Sequence, residues 1–246
     1  MKRILSAVAF AAGMVVSAAT WAATLTIDST TGSWTNVATS AGPTGPMTGA
    51  GTSKISWGAP AKKTTLQSSY EFNSTGPVTQ TSPASFLIGQ FVHTNGYIWA
   101  VSTQVDQADL DVSVSGTADG QAFSLSSVFR FIHDETANEA KKCKGGGKNP
   151  CGDMVKVSTV SGAPLVITQG QNIFTILIDG FVQTLGGPII TSFLTPEHLQ
   201  TPLYLQASLQ ISTVPTPPSE VPLPAAGLLL AGALGAVGLV RRRRRG

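Results

Sequence analysis

Apolar and polar residues alternate with a period of two along most of this chain. In DLDVSVSG (residues 109–116), Leu110, Val112 and Val114 share one face while polar residues share the other. The same alternation runs through QAFSLSSVFRF (121–131) and PLYLQASLQIS (202–212). This spacing is typical of half-buried β-strands, and helical periodicity is almost absent. The pattern therefore predicts an all-β domain.

Additional strands of this domain are separated by segments rich in Gly, Pro, Ser and Asn. The stretch NIFTILIDGF (172–181) is apolar on both faces, as expected for a well-covered central strand, and Ala41–Ser53 reads as a loop. Strand spacing of this kind favours a jelly-roll-like antiparallel β-sandwich over residues 23–211. The shorter predicted strands are Thr24–Asp28, Lys54–Trp57, Tyr70–Phe72, Phe86–His93, Ile98–Val105, Met154–Thr159 and Ile189–Leu194.

Residues 1–22 have the features of a secretory signal peptide. Lys2 and Arg3 precede an apolar run from Ile4 to about Val16, and small residues follow up to Ala22. A short positive region, an apolar region and a small-residue exit predict export, with cleavage after Ala22. The alternative is an uncleaved membrane anchor.

The C-terminal segment, residues 221–246, differs in composition from the body. It follows a Pro-rich stretch, residues 212–220, that predicts an extended linker. The 16 residues from Ala225 to Val240 carry no charge. As a helix they would span about 24 Å, and five arginines directly after them would stay on the cytoplasmic side of the inner membrane. The segment therefore predicts a transmembrane helix that places the body outside.

The C-terminal segment resembles the PEP-CTERM sorting signal in its VPLPA form. Leu223 stands where the commoner form has an acidic residue between the prolines. The resemblance implies processing by signal peptidase and an exosortase, with a transient inner-membrane intermediate. The body would then be released or attached at the surface of bacteria that make extracellular polysaccharide. The matching residues are Val221, Pro222, Leu223, Pro224, Ala225, Arg241, Arg242, Arg243, Arg244 and Arg245.

The net positive charge of the whole chain comes from its two terminal segments. The formal net charge is +3, but between residues 23 and 220 there are nine basic residues against all 13 acidic ones. The body alone is therefore acidic, near −4. A nucleic-acid partner is excluded as an interpretation, because such partners require positive charge on the folded domain.

FLIGQFVHTNGYI (86–98) resembles the THxN-type PEP-CTERM proteins and the related choice-of-anchor K domain. Val92 stands where the family motif has Thr. Weaker matches are GSW (32–34), ISWG (55–58) and DETAN (134–138). The resemblance implies a surface-anchored domain with no assigned enzymatic activity. The matching residues are Phe86, Ile88, Gly89, Phe91, His93 and Asn95.

Two interpretations of His93 and Asn95 remain open from the sequence. Both lie at the predicted end of a strand, where polar side chains often bond to nearby backbone groups in a turn. Alternatively, they belong to a polar cluster at one end of the sandwich that binds a ligand or senses pH.

Cys143 and Cys151 are the only cysteines and bracket the turn-prone stretch KGGGKNP. In an exported protein such a pair predicts a disulfide. Metal binding by the two thiolates is the alternative, but no Cys or His lies nearby at zinc spacing.

An acidic stretch, HDETANE (133–139), ends a Phe-rich strand, and Asp153 follows the cysteine loop. Calcium takes six to eight oxygen ligands, and adjoining loops could supply them. A solvated acidic loop beside four lysines explains the stretch equally well. The chain is otherwise expected to have no cofactor. The candidate calcium ligands are Asp134, Glu135, Asn138 and Asp153.

Three functional hypotheses follow. The first is a structural or adhesive protein of the exopolysaccharide or biofilm layer. The second is a carbohydrate-binding module, in which Trp34, Trp57, Trp99 and Tyr97 stack on sugars, although the same rings could be core. The third is a secreted hydrolase using His93, His133 or His198. No G-x-S-x-G, H-E-x-x-H or P-loop sequence is present, so we expect no enzyme.

Overall fold

The computed structural model describes residues 22–61, 66–136, 143, 151–215, 232–234 and 241–243. The chain divides into two compact units, Met1–Ser212 and Thr213–Gly246. The described residues form twelve β-strands, which are β1 (Leu25–Ser40), β2 (Lys54–Trp57), β3 (Ser68–Ser74), β4 (Val78–Gln80), β5 (Ala84–Thr94), β6 (Gln104–Ala118), β7 (Gln121–Asp134), β8 (Asp153–Gly162), β9 (Leu165–Gln169), β10 (Asn172–Val182), β11 (Ser192–Thr195) and β12 (Gln200–Thr213).

Two six-stranded antiparallel sheets contain these strands. The first sheet has the order β11-β8-β7-β6-β1-β4 and the second has the order β2-β3-β5-β12-β10-β9. Within the first sheet, β6 and β7 form a hairpin whose turn residues Asp119 and Gly120 both have positive φ, 46° and 81°. That pair of angles is typical of the type I′ turn, which follows the natural twist of a hairpin. The predicted all-β sandwich is confirmed.

The core lies between the sheets and is built around aromatic rings from both of them. Trp34 of β1 and Phe131 of β7 belong to the first sheet, and Tyr70 of β3 and Phe91 of β5 belong to the second. The Trp34 ring centroid lies 5.1 Å from that of Tyr70 and 5.2 Å from that of Phe131. Each favourable ring pair contributes about 0.5–1.5 kcal/mol beyond simple burial. These contacts hold the two sheets face to face.

Period-two alternation correctly predicts the buried faces of β6 and β12. Leu110, Val112 and Val114 of β6 are fully buried. On β12 the inward set Leu203, Leu205, Ala207 and Leu209 is buried too, although the register with β5 shifts between Leu205 and Gln206. β10 differs from expectation, since only one of its faces is fully buried and the other is half-buried.

Two strand boundaries differ clearly from the predictions. β1 continues twelve residues beyond Asp28, to Ser40, through a polar Ser- and Thr-rich stretch. It is paired with β6 over almost its whole length, so backbone pairing rather than side-chain hydrophobicity determines its extent. The predicted strand Ile98–Val105 is wrong, because residues 99–102 form turns and β6 begins at Gln104.

Phe72 of β3 packs between two backbone positions that have no side chain. A Cβ added at Gly32 of β1, or at Gly89 of β5, would overlap the Phe72 ring. Glycine at both positions therefore allows the ring to lie flat between the two backbones. The ring is almost completely buried as a result.

Cys143 and Cys151 form a disulfide, with their Cα atoms 5.2 Å apart. The predicted pairing is confirmed. Cys151 is buried and lies two residues before the start of β8. The bond therefore fixes the chain at the entry to a central strand of the first sheet.

In the second unit, residues 232–234 and 241–243 are helical. Among the described residues, no helix is long and apolar enough to cross a membrane. Residues 1–21, the sorting motif 221–225, most of the predicted helix 225–240, and Arg244 and Arg245 lie outside the described residues. The signal peptide and the sorting segment therefore stay predictions.

Candidate functional site

Six polar side chains are buried together at one end of the sandwich. Alternation along β5 directs His93 inward after Phe91, and alternation along β7 directs His133 inward after Phe131. Asp153 is the first residue of β8. Because these strands belong to both sheets, their ends meet between the sheets. We call the group the buried polar cluster: His93, Asn95, His133, Glu135, Asp153 and Glu197.

Burial of the cluster is nearly complete. His93, Asn95 and Asp153 have no exposed surface, and Glu197 is 6 % exposed. The side chains of His133 and Glu135 are 0 % and 6 % exposed. Ionisable groups are seldom buried to this degree unless they are paired with charges or coordinate a metal.

Both imidazole rings are oriented through their Nδ1 atoms. The Tyr70 hydroxyl lies 2.6 Å from Nδ1 of His133, and Oγ1 of Thr195 lies 2.8 Å from Nδ1 of His93. The two rings meet edge to face, with centroids 5.1 Å apart. Neither Nε2 atom has a hydrogen-bond partner among the described residues. The contacts at Nδ1 thus leave both Nε2 atoms available to the cluster.

The carboxylates approach His133 at distances longer than good hydrogen bonds. Nε2 of His133 lies 3.4 Å from Oδ2 of Asp153 and 3.4 Å from Oε2 of Glu135. The other oxygen of Asp153 accepts a hydrogen bond from the backbone N–H of Thr136, at 3.0 Å. Well-formed N–H···O bonds are about 2.7–3.2 Å long. Asp153 is therefore fixed by one oxygen and turns its second oxygen towards the imidazole.

Asn95 extends the cluster towards the connection between β11 and β12. Its Nδ2 donates to the backbone carbonyl of Thr195 at 2.9 Å. Its Oδ1 is buried and has no hydrogen-bond partner in the described part of the chain. The bonds of His93 and Asn95 therefore reach a segment about 100 residues away rather than their own turn. This arrangement favours the interpretation of the motif as part of a polar cluster.

The electrostatics of the cluster favour positive charge beside Asp153 and Glu135. Burial opposes the imidazolium of His133, yet the two carboxylates raise its pKa to about 9. Burial, followed by the charges of Asp153 and Glu135, raises the pKa of Glu197 to about 8 and that of Tyr70 well above its ordinary value. The carboxylate charges alone set the direction for His133, whereas for Glu197 and Tyr70 they add to the larger effect of burial.

Two further members of the cluster, His93 and Glu135, also have shifted pKa values, and burial is again the largest cause. Burial, with the neighbouring His133 as a smaller cause, lowers the pKa of His93 well below its usual value. Burial also raises the pKa of Glu135. His93 is therefore neutral, with a lone pair available on one ring nitrogen.

Two sets of three ligand atoms are closely spaced within the cluster. Atoms of His93, His133 and Asp153 all lie within 4.8 Å of one another, and so do atoms of Glu135, Asp153 and Glu197. Asp153 belongs to both sets. The arrangement could hold a cation with mixed nitrogen and oxygen ligands.

The predicted calcium ligands are only partly brought together. Glu135 and Asp153 lie in the cluster, whereas Asp134 is exposed on the opposite face of β7. Asn138 lies outside the described residues. The alternation that directs His133 inward necessarily directs Asp134 outward. Among the described residues, Glu135 and Asp153 therefore lie in a cluster that also contains two histidines.

Sequence reasoning missed Tyr70, Thr195 and Glu197 as members or supports of this site. Tyr70 lies at an inward-facing position of β3, where an aromatic residue is normally interpreted as part of the hydrophobic core. Glu197 lies in the short connection after β11, far from the other cluster residues in sequence. No local pattern marks it, since it is the pairing of β12 with β5, and the backbone bonds of Asn95 to this connection, that bring it into the cluster.

The aromatic residues considered as a sugar-binding platform do not form one. Trp34 and Trp57 are completely buried, so those two rings belong to the core. Tyr97 stacks on His198, with centroids 5.4 Å apart. Trp99 is 53 % exposed. Of the proposed platform, only this indole lies largely at the surface.

A scan against protein-family models finds no matching family, and a search of curated proteins finds no similar chain.

Proposed function

We propose that this chain is an exported protein with a structural or adhesive role in an extracellular polysaccharide or biofilm layer. The observation that carries the proposal is the disulfide between Cys143 and Cys151. Disulfides of this kind persist in oxidising compartments outside the cytoplasm. A signal-peptide-like start and a PEP-CTERM-like end support the same location.

The route to that location follows from the two terminal segments. Signal peptidase removes residues 1–22, and the segment 225–240 then holds the chain in the inner membrane as a single helix. An exosortase cleaves near the motif of residues 221–225 and frees the body to the surface or the medium. The arginines 241–245 stay on the cytoplasmic side during this step.

We also propose that the sandwich has a jelly-roll-like topology. The chain crosses between the two sheets several times, for example from β1 to β2 and from β5 to β6, which supports it. The three consecutive neighbours β6, β7 and β8 form a meander within one sheet, which makes this a variant of that topology.

A second candidate function is recognition of a specific glycan, and one surface feature favours it. Trp99 is 53 % exposed, and Val101, two residues further along the chain, is exposed as well. An exposed indole offers an apolar face for stacking against a sugar ring. The recognition surface would be this single tryptophan with its neighbours rather than a row of rings.

One deletion experiment separates the two functions. We expect loss of the gene to reduce the cohesion of the polysaccharide layer, measured as the shear needed to disperse it. The strain is then complemented with the wild-type chain or with Trp99→Ala. Restoration by both supports a structural role, and restoration by the wild type alone supports glycan recognition through Trp99. Unchanged cohesion after deletion would contradict both.

A further inference from the structure

We infer that the buried polar cluster is a binding site for one divalent transition-metal ion, with His93, His133 and Asp153 as its central ligands. Glu135 and Glu197 supply further carboxylate oxygens. This inference does not depend on export or on the proposed extracellular role. It rests on the arrangement of the side chains between the two sheets.

The spacing of the ligand atoms fits a metal better than a proton network. Transition metals bind imidazole nitrogen and carboxylate oxygen at about 2.0–2.2 Å, so two ligands of a tetrahedral ion lie roughly 3.4 Å apart. Nε2 of His133 lies 3.4 Å from one oxygen of Asp153 and 3.4 Å from one of Glu135. Those separations are long for hydrogen bonds and match two edges of such a tetrahedron.

The surrounding contacts orient the ligands in the way that metal sites require. A ligating histidine usually bonds through its other ring nitrogen to a neighbouring group, which fixes its tautomer and orientation. Tyr70 does this for His133 and Thr195 does it for His93. The backbone N–H of Thr136 holds one oxygen of Asp153. Each central ligand therefore has an outer partner and an inward-facing donor atom.

Buried donor atoms without a hydrogen bond supply an independent reason to expect a ligand. Nε2 of His93 is fully buried and forms no hydrogen bond within the described residues. Nε2 of His133 and Oδ2 of Asp153 form no hydrogen bond there either, although they lie 3.4 Å apart as an ion pair. Leaving such a buried group without a hydrogen bond destabilises the folded state, and the cost is greater for a charged group. All three face the same small volume, so a single cation satisfies them together.

The donor set indicates the class of metal. Calcium and magnesium select oxygen ligands, whereas imidazole favours zinc, iron and related first-row ions. Two imidazoles beside carboxylates therefore indicate a transition metal rather than the calcium suggested by the acidic sequence. The ligands are almost completely buried, and catalytic metals keep a coordination position open to substrate. The ion has a structural role.

That role is to fasten the two sheets at one end. His93 comes from β5 of the second sheet, while His133 and Asp153 come from β7 and β8 of the first. Glu197 adds the connection between β11 and β12. The disulfide at Cys151 holds the chain immediately before Asp153. Metal and disulfide together stabilise the entry to β8.

The test uses the full chain, produced without a histidine tag in an export-competent host. We expect the purified protein to contain about one zinc, manganese or iron ion per chain, measured by elemental mass spectrometry. Protein unfolded with a chelator and refolded without metal should melt at a lower temperature, and added Zn²⁺ should restore the original Tm. A folded wild type with no bound metal and no change of Tm with Zn²⁺ or Mn²⁺ would overturn the inference. Stabilisation by Ca²⁺ alone would overturn it as well.

Variants of two histidines provide a matched comparison. His93→Gln should weaken Zn²⁺ binding by more than the roughly 10–100-fold typical of changes outside the ligand shell. His198→Gln changes an exposed histidine that lies outside the cluster, and should leave the affinity unchanged. The reverse result would place the metal elsewhere and overturn the assignment.

If His93→Gln does not fold, wild-type protein loaded with Co²⁺ answers the same question. Its X-ray absorption spectrum should show imidazole scattering from two histidines together with oxygen ligands. An oxygen-only spectrum would contradict the inference.

Discussion

Asp109 is a charged residue in a fully buried position on β6. Its side chain is only 1 % exposed, and it accepts hydrogen bonds from Nε and Nη2 of Arg130, both at 2.8 Å. Asn36 donates a third bond at 3.1 Å. The hydrogen bonds from Arg130 and Asn36 lower the pKa of Asp109, although burial alone would raise it. The carboxylate is therefore stabilised in its charged form.

The pH dependence of stability follows from that direction. Because the pKa is lower in the folded state than in the unfolded chain, the stabilisation is present above the unfolded pKa. It is lost as the pH falls through the folded pKa. We expect Asp109→Asn to reduce the free energy of unfolding clearly at pH 7 and much less in strong acid. Urea unfolding of both proteins at the two pH values measures this, and an equal difference at both would contradict it.

Residue-level patterns in the sequence identify the cluster only in part. His93, Asn95, His133, Glu135 and Asp153 all stand out as polar residues at strand ends, and the structure brings them together. The sequence cannot say which side chains meet, because that depends on how the two sheets pair. Alternation likewise predicts a solvent-facing Asp109, and its burial follows from contacts with Arg130 and Asn36 that no sequence pattern shows.

Among the elements, β5 shows how a glycine can be required by packing between the sheets. Gly89 of this strand lies against the ring of Phe72 on neighbouring β3, and Gly32 of β1 lies against the same ring. The three positions come from both sheets. A ring confined between two backbones cannot move aside without disturbing a sheet, since protein interiors are close-packed.

We therefore expect Gly89→Ala to be destabilising. The added methyl group overlaps the Phe72 ring, and overpacking of this kind costs about 1–3 kcal/mol. Guanidinium unfolding measures the loss. The matched control is Ser85→Ala, which changes an exposed residue of β5, the strand that contains Gly89, and should have little effect. Gly76→Ala would be a poor control, because the backbone φ of Gly76 is positive. An unchanged unfolding midpoint in Gly89→Ala would show that the ring relocates freely.

Elements with strong alternation are predictable from sequence, and those defined by pairing are not. The inward faces of β6 and β12 follow from their apolar spacing. The second half of β1 is rich in Ser and Thr and gives no such signal, yet its pairing with β6 keeps it extended. Conversely, the apolar residues near Ile98 suggest a strand, but there the chain turns before β6.

At the scale of the whole molecule, different forces act on different parts of the sandwich. Aromatic contacts between Trp34, Tyr70, Phe91 and Phe131 join the sheets across the core. At one end of the sandwich the sheets meet through the buried polar cluster instead of through apolar side chains. The disulfide fixes the chain beside this cluster. Loss of the proposed metal should therefore loosen this end first and leave the aromatic core packed.

The proposed processing would also change the charge of the molecule. The full chain carries a formal +3, because seven of its 16 basic residues lie in the terminal segments proposed to be removed. The remaining body is acidic, near −4. An acidic body is not attracted electrostatically to anionic polysaccharide, so adhesion there would depend on cations or on apolar contacts such as Trp99.

The intact mass of the protein recovered from cells and medium tests export and processing most directly. We expect a mass that lacks residues 1–22 and the arginine-rich tail, and that gains two hydrogen atoms on reduction of the Cys143–Cys151 bond. A mass that retains the tail in all fractions would contradict processing and make the C-terminal segment a permanent anchor. A mass that retains the N-terminal segment, with no change on reduction, would contradict export itself.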